Sequence, residues 1–154
     1  MNKRELEVAY CATTFAAGLP DGELGIRIGQ PHPRLDVLLK EQGAGTWAYI
    51  TACNPGSADL PPEVNDKRHA DLVRYLEIKG YRIFLGEGRP DEPGWDPETS
   101  VLVIGIEHEA AMRLGQDLRQ NAIVIGQYEG VAELVWLPPP PLIPFGERYE
   151  LAGK

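Results

Sequence analysis

The sequence predicts an α/β protein, in the α+β sense, with a single mixed β-sheet of about six or seven strands flanked by three helices. Apolar segments of strand length alternate with segments whose apolar residues have helical spacing. One continuous apolar run, residues 101–106, is typical of a central strand covered on both faces. Clusters of Gly and Pro separate these segments, as turns do.

The first part of the chain is predicted to form two strands and a short helix. Residues 6–12 alternate between polar and apolar, which indicates a strand with one face more buried than the other. The turn cluster 18–22 then leads to a second, shorter strand around Ile26 and Ile28. The helix that follows should end at Gly43, and its apolar face is formed by Leu35, Leu38 and Leu39.

The rest of the chain supplies two further helices and five further strands. An i, i+3, i+4, i+7 stripe predicts a helix from Asn65 to Lys79, and similar spacing predicts another over residues 111–118. Apolar segments predict strands at residues 47–52, 81–85, 101–106, 122–125 and 131–137. The Gly-, Pro- and acid-rich residues 86–97 predict a long loop. We expect one domain, residues 1–137, and a Pro-rich strap, residues 138–154, which could instead dock on a partner's aromatic groove.

The composition argues against several classes of partner. The 154-residue chain has a formal net charge of −8, whereas nucleic acids and anionic membranes are held by Lys and Arg side chains that neutralise phosphate. No apolar run reaches the roughly 18–20 residues that a membrane helix needs. The first residues lack a signal-peptide pattern, and two cysteines are typical of reduced thiols. We therefore expect a cytoplasmic protein that binds neither nucleic acid nor membrane.

The predicted topology brings polar residues together at one pole of the sheet. A helix joins the third and fourth strands, so the right-handed crossover rule makes these strands parallel and near neighbours. The turn after the third strand, the 86–97 loop and the start of the Asn65 helix then share a pole, and the next helix returns the chain there. The side chains that converge are Thr51, Asn54, Ser57, Asn65, Glu98, Ser100, Gln120 and Asn121. His108 is predicted at the opposite pole.

Glu98 is the predicted catalytic residue of this pole. It follows Pro97 at a strand entry, where partial burial would raise its pKa towards the range of a general acid or base. The alternative is a carboxylate that anchors the loop through backbone N–H groups. The other converging side chains are predicted to bind ligand, and each has a structural alternative: Asn54 as a turn residue, Asn65 as a helix N-cap, and the Gln120-Asn121 pair as partners of buried backbone.

Two other groups of residues suggest a chemistry and also have a structural interpretation. The acidic residues between Glu87 and Glu98 could bind Mg²⁺ or Ca²⁺, but they lack EF-hand spacing, and a solvated loop is the interpretation adopted. Cys53 with His69 could form a thiol nucleophile and its base, or could simply be a small buried residue and a core-edge histidine. No metal site is predicted, and no cofactor is identified because Gly86-x-Gly88 is too short for a dinucleotide fingerprint.

Several short motifs together resemble a known family. They are Thr51-Ala52-x-Asn54-Pro55-x-Ser57, Asn65, Trp95-x-Pro97-Glu98-x-Ser100, Gly115 and Gln120-Asn121-Ala122. This set resembles the bacterial family catalogued as domain of unknown function 3293, over a span from about Tyr10 to the last strand. Thr99 stands where an acidic residue often lies beside Glu98, so the resemblance implies no paired-carboxylate mechanism. It implies an uncharacterised bacterial protein and no particular activity.

The sequence therefore leads to two functional hypotheses. The first is a protein that binds, and in an enzyme would also process, a small polar or anionic ligand at the shared pole. The second is a non-catalytic protein-interaction module in which the same residues only form turns and caps.

Overall fold

The computed structural model describes residues 2–94 and 96–138, which form one curled sheet of seven strands together with four helices. The strands are β1 Thr13–Leu19, β2 Gly22–Ile26, β3 Thr46–Ile50, β4 Arg82–Pro90, β5 Glu98–Ile104, β6 Ala122–Gln127 and β7 Glu133–Trp136. The helices are α1 Lys3–Cys11, α2 Pro33–Gln42, α3 Pro62–Ile78 and α4 His108–Asp117, and a short 3₁₀ turn spans Pro55–Ser57.

The strands lie in the order β2-β1-β4-β5-β3-β6-β7, and neighbouring strands are antiparallel throughout. The predicted α+β class and the single sheet of about seven strands are confirmed. The sheet is antiparallel rather than mixed because β5 lies between β3 and β4. These two strands run in the same direction, as the crossover rule requires, but each pairs with β5.

The strand predicted over residues 6–12 is wrong, because this segment is the helix α1. The side chain of Asn2 caps the helix by accepting a hydrogen bond from the backbone N–H of Glu5 at 2.9 Å. Leu6 and Tyr10, four residues apart, face the protein, whereas Val8 is 65% exposed. The first strand follows at β1, so the described residues contain one helix more than the three predicted.

The fourth strand continues well into the predicted 86–97 loop. β4 extends to Pro90 and pairs with β1 on one side and β5 on the other, with Gly88 opposite Glu98. Glycine permits this close pairing, since a Cβ atom on Gly86 would overlap the carbonyl oxygen of Ala16. The connection that remains is residues 91–97, of which Trp95 lies outside the described residues.

The predicted helices are confirmed, with one shifted start. α2 ends at Gln42, and the left-handed φ of 66° at the C-cap Gly43 lets the N–H of Gly43 bond the carbonyl oxygens of Leu39 and Lys40. α3 begins at Pro62, so its N-cap is Pro61. The structural alternative for Asn65, a helix N-cap, is therefore wrong, because proline at the first helical position starts the helix three residues earlier.

Each face of the sheet covers its own apolar core. Along β5, Leu102 and Ile104 pack on the face covered by α2, and Val101 and Val103 pack on the face covered by α3 and α4. The continuous apolar run of β5 is thus buried on both sides, as predicted. Because side chains alternate along a strand, Glu98 and Ser100 lie in step with Leu102, on the α2 face.

Two predictions about the whole chain can be compared only with the residues that the structure describes. Within residues 2–94 and 96–138, no helix has the length and apolar character needed to cross a membrane. The predicted strap, residues 138–154, lies outside the described residues apart from Pro138, so the boundary at residue 137 stays a prediction.

Candidate functional site

The structure brings the predicted polar residues together at one pole of the sheet. The end of β3 and the turn after it, the first turns of α3, the start of β5 and the start of β6 meet there. A network of side-chain hydrogen bonds links these four parts of the chain. His108 lies at the other pole, as predicted. Its Nε2 is 2.9 Å from the carbonyl oxygen of Gly126 there.

Asn54 is the centre of this network. Its Oδ1 accepts hydrogen bonds from the backbone N–H of Leu60 at 3.0 Å and from Nδ2 of Asn65 at 2.8 Å. The backbone N–H of Asn54 donates to Oδ1 of Asn65 at 3.0 Å, which makes the two asparagines a reciprocal pair. Nδ2 of Asn54 is thereby directed at Glu98 and donates to its Oε2 at 3.1 Å.

Thr51 and Ser100 fasten the ends of β3 and β5 beside Glu98. The hydroxyl of Thr51 donates to the carbonyl oxygen of Thr99 at 2.8 Å and accepts from the N–H of Cys53 at 3.0 Å. Ser100 is 2% exposed, and its hydroxyl donates to the carbonyl oxygen of Glu98 at 2.9 Å. These bonds engage both hydroxyls in holding backbone, which supports a positioning role for each.

Two long side chains hold the turn that follows β3. Arg68 on α3 donates from Nε to the carbonyl oxygen of Ala52 at 2.6 Å and from Nη2 to that of Leu118 at 2.8 Å. Gln120 donates from Nε2 to the carbonyl oxygen of Cys53 at 3.0 Å. Successive carbonyl groups of the turn are thus tied to α3, and through residues 118–120 to the end of α4.

Ser57 and Asn121 form the outer side of the pole, together with Tyr10 of α1. Nδ2 of Asn121 donates to Oγ of Ser57 at 2.8 Å. Burial raises the pKa of Tyr10, the negative charge of Glu98 raises it further, and hydrogen bonding with Ser57 and Asn121 lowers it. The phenol of Tyr10 is therefore a near neighbour of both the outer pair and the Glu98 carboxyl.

The backbone of this pole adopts unfavourable conformations. In the described part of the chain, the non-glycine residues with positive φ are Asn54, Ser57, Arg119 and Glu129, and the first three of these lie at the pole. Asn54 has φ 47° although a proline follows it, and a residue before proline generally prefers extended geometry. Asparagine tolerates this left-handed region better than most residues, and such strain often accompanies functional sites.

The Glu98 carboxyl is the chemically distinctive group of the pole. It is half-buried, and burial raises its pKa above the ordinary value of 4.5. The Asn54 amide and the Thr51 hydroxyl act in the opposite direction, and the negative charge of Asp59 raises the pKa again. Among the described residues, no Lys, Arg or His forms an ion pair with Glu98.

The thiol and metal alternatives receive no support from the geometry. Cys53 is 4% exposed, and burial raises the pKa of its thiol away from the reactive thiolate. In the predicted acidic loop, Asp91 instead forms a bidentate pair with Arg27, with both bonds at 2.8 Å. No group of three His, Cys, Asp or Glu side chains in residues 2–94 and 96–138 could hold a metal ion.

A separate cleft of about 490 Å³ opens at the opposite pole, away from the predicted residues. Its walls are the loops before β3, before β4 and after β5, and its charged lining side chains are Arg82 and Glu107. We place the candidate site at the Glu98 pole because a half-buried carboxyl group with a raised pKa lies there beside three non-glycine residues of positive φ.

Sequence reasoning missed Arg68 and Tyr10. Arg68 lies three residues after Asn65, and residues at this spacing share one face of a helix. Because Asn65 was predicted to face the site, Arg68 could have been predicted to face it too. Tyr10 could not be placed because its segment was assigned to a strand.

The fold and the site together define an α+β protein with a carboxyl-centred polar site at one pole of its sheet. Residues 50–123 match the family described as "Protein of unknown function (DUF3293)", which confirms the resemblance over that segment. The matched segment is shorter than the span from Tyr10 to the last strand that the resemblance covered, but it contains all the predicted site residues. No curated protein and no solved structure matches the chain.

Proposed function

We propose that the Glu98 pole binds a small polar or anionic ligand, and that Glu98 is the acid or base of any reaction carried out there. The observation that carries this proposal is the half-buried Glu98 carboxyl, which has a raised pKa and no ion-pair partner among the described residues. A carboxylate in such a place lowers stability unless something compensates its charge. Titratable groups of this kind are concentrated at functional sites.

The guanidinium of Arg68, which belongs to the same hydrogen-bond network, does not form an ion pair with Glu98. Arg68 directs its guanidinium to the carbonyl oxygens of Ala52 and Leu118. Its contribution is to hold the turn that presents Asn54, and the Asn54 amide is the group that bonds the carboxyl. The pole thus supplies a rigid frame around a carboxyl group, which is what a preorganised site requires.

The contacts divide the predicted residues into two groups. Thr51, Asn54, Asn65 and Ser100 are engaged in bonds that hold the frame. Gln120 holds the frame as well, through its bond to the carbonyl oxygen of Cys53. Ser57 and Asn121 lie at its outer side with Glu98, and we assign ligand contacts to them. An ionised Glu98 favours a ligand with hydrogen-bond donors, and a protonated Glu98 admits an anionic one.

A thermal-shift screen against nucleotides, sugars, amides and small acids tests this function. A true ligand at about 100 times its Kd should stabilise the protein by roughly 2.7 kcal/mol. The shift should be lost in Glu98→Gln and kept in Glu41→Gln, a matched change at an exposed residue of α2. A ligand whose effect is equal in both variants would show that binding occurs elsewhere.

The alternative function is a non-catalytic protein-interaction module. It predicts that backbone N–H groups consume the Glu98 carboxyl, whereas the hydrogen bond observed comes from the Asn54 side chain. Its other support, the Pro-rich segment, lies outside the described residues. Silence across a broad ligand screen would favour this alternative.

The remaining sequence predictions belong to the same proposal. With a net charge of −8 we expect no binding to duplex DNA or RNA near physiological salt, which fluorescence anisotropy would check. A bacterial origin and a cytoplasmic location stay predictions.

A further inference from the structure

Helix α1 carries one aromatic residue to the Glu98 pole. The ring of Tyr10 meets the ring of Trp136 edge-on, with centroids 6.0 Å apart and an interplanar angle of 68°. Trp136 pairs with Ala122 across β6 and β7, and the neighbouring residue Asn121 belongs to the site. Tyr10 and Trp136 thus form an aromatic wall beside the polar network.

The strand registers place this wall on the same face of the sheet as Glu98. Trp136 lies in step with Leu134, which packs on the α2-side core, and Tyr10 packs on that core as well. Glu98 is in step with Leu102, a member of the same core. Burial raises the pKa of Tyr10, and the negative charge of Glu98 raises it further, in keeping with this placement.

We propose that Tyr10 is a ligand-contacting residue of this site, and that its hydroxyl donates a hydrogen bond to a ligand that itself donates one to the Glu98 carboxylate. This inference rests on the proposed function and narrows its ligand class. The Glu98 carboxylate only accepts hydrogen bonds. Its charge and the nearby negative charge of Asp59 together disfavour an anionic ligand. The ligand therefore presents a donor beside an acceptor, as a carboxamide does, and the aromatic wall favours a planar group.

Three probes of one shape separate the roles of the two residues. Benzamide offers a donor and an acceptor, benzamidine offers donors only, and benzoate offers acceptors only. Their affinities for the full chain would be measured by calorimetry at about pH 8, far above the ordinary pKa of a glutamate side chain. We expect benzamide to bind and benzoate to bind least. Glu98→Gln should weaken the binding of both benzamide and benzamidine.

Tyr10→Phe is the decisive variant, because it keeps the ring and removes the hydroxyl. It should weaken benzamide about tenfold, the effect of one lost hydrogen bond, and change benzamidine less than about twofold. Tyr128→Phe, a matched change near the opposite pole, should alter neither affinity. If Glu98→Gln weakens binding while Tyr10→Phe has no selective effect, the proposed function stands and the role of Tyr10 is overturned.

A ligand-independent measurement covers the case in which no probe binds. The ionisation of Tyr10 can be followed by ultraviolet absorbance as the difference between the chain with Tyr10 and its Tyr10→Phe counterpart. Glu98→Gln should lower the pKa of Tyr10, because it removes a neighbouring negative charge. An unchanged pKa would overturn the placement of Tyr10 in the site, and failure of all three probes to bind would overturn the ligand class proposed.

Discussion

Asn54 donates a hydrogen bond from Nδ2 to Oε2 of Glu98 at 3.1 Å, across forty-four positions of sequence. The bond joins the turn after β3 to the first residue of β5. Burial disfavours the ionised form of the Glu98 carboxyl group, and this hydrogen bond stabilises that form. The orientation of the Asn54 amide depends in turn on Asn65 and on the N–H of Leu60.

Glu98→Gln should raise or leave unchanged the free energy of unfolding at neutral pH. Because the folded-state pKa of Glu98 is raised, its contribution to stability is complete below the ordinary value of 4.5 and is lost as the pH rises through the folded-state pKa. Glutamine never ionises, so the stability of the variant relative to the native protein should increase across that window. Urea denaturation at several pH values checks this. A loss of stability that is equal at every pH would show that Glu98 only anchors structure.

Asn54→Ala should destabilise the fold by about 2–3 kcal/mol. The change leaves the N–H of Leu60 and the amide of Asn65 without their acceptor. Asn54→Gly loses the same bonds but relieves the positive φ of 47°, so it should be about 1 kcal/mol more stable than the alanine variant. Equal stabilities of the two variants in chemical denaturation would mean that the turn relaxes away from this conformation.

Arg68→Ala should cost about 2–3 kcal/mol, because two carbonyl oxygens, one in the turn after β3 and one after α4, lose a charged donor. Arg74→Ala, at an exposed position of the same helix, should change stability by less than about 0.5 kcal/mol. Calorimetric melting of both variants provides the comparison. Similar effects of the two would indicate that Arg68 contributes only helix propensity.

Gly86→Ala should destabilise the sheet by roughly 3 kcal/mol, since the added methyl group would overlap the backbone of Ala16. Gly88→Ala is the matched control on the same strand, because its nearest contact would be an ordinary 3.7 Å from the Phe15 ring. Comparable melting temperatures for the two variants would contradict the close pairing of β1 with β4.

Sequence periodicity predicted the elements that have one unambiguous pattern. The apolar stripe of α2 and the continuous apolar run of β5 each correspond to a single geometry, and the crossover between β3 and β4 was enough to predict a shared pole. The strand prediction for residues 6–12 was wrong because two periods fit this segment. Leu6, Val8 and Tyr10 fit the two-residue period of a strand, while Leu6 and Tyr10 also fit one turn of a helix. Seven residues are too few to separate those periods.

The individual contacts of the site could not be predicted by the same reasoning. That Asn54 and Glu98 share a pole follows from topology, but that they bond depends on the left-handed conformation of Asn54 and on the position of α3. The role of Asn65 changed because Pro61 and Pro62 start the helix earlier. Tyr10 lies beside the site because its helix packs against Trp136. This tertiary contact is not encoded by any local sequence pattern.

The most direct test of the central claim is the pKa of Glu98 itself, measured by carbon-13 NMR of its side-chain carboxyl. A half-buried carboxyl without an ion-pair partner should titrate above the ordinary value of 4.5, and Asn54→Ala should raise its pKa further by removing the amide that stabilises the charge. A Glu98 that titrates at or below 4.5, and does not respond to Asn54→Ala, would contradict the account of this pole as a carboxyl-centred site.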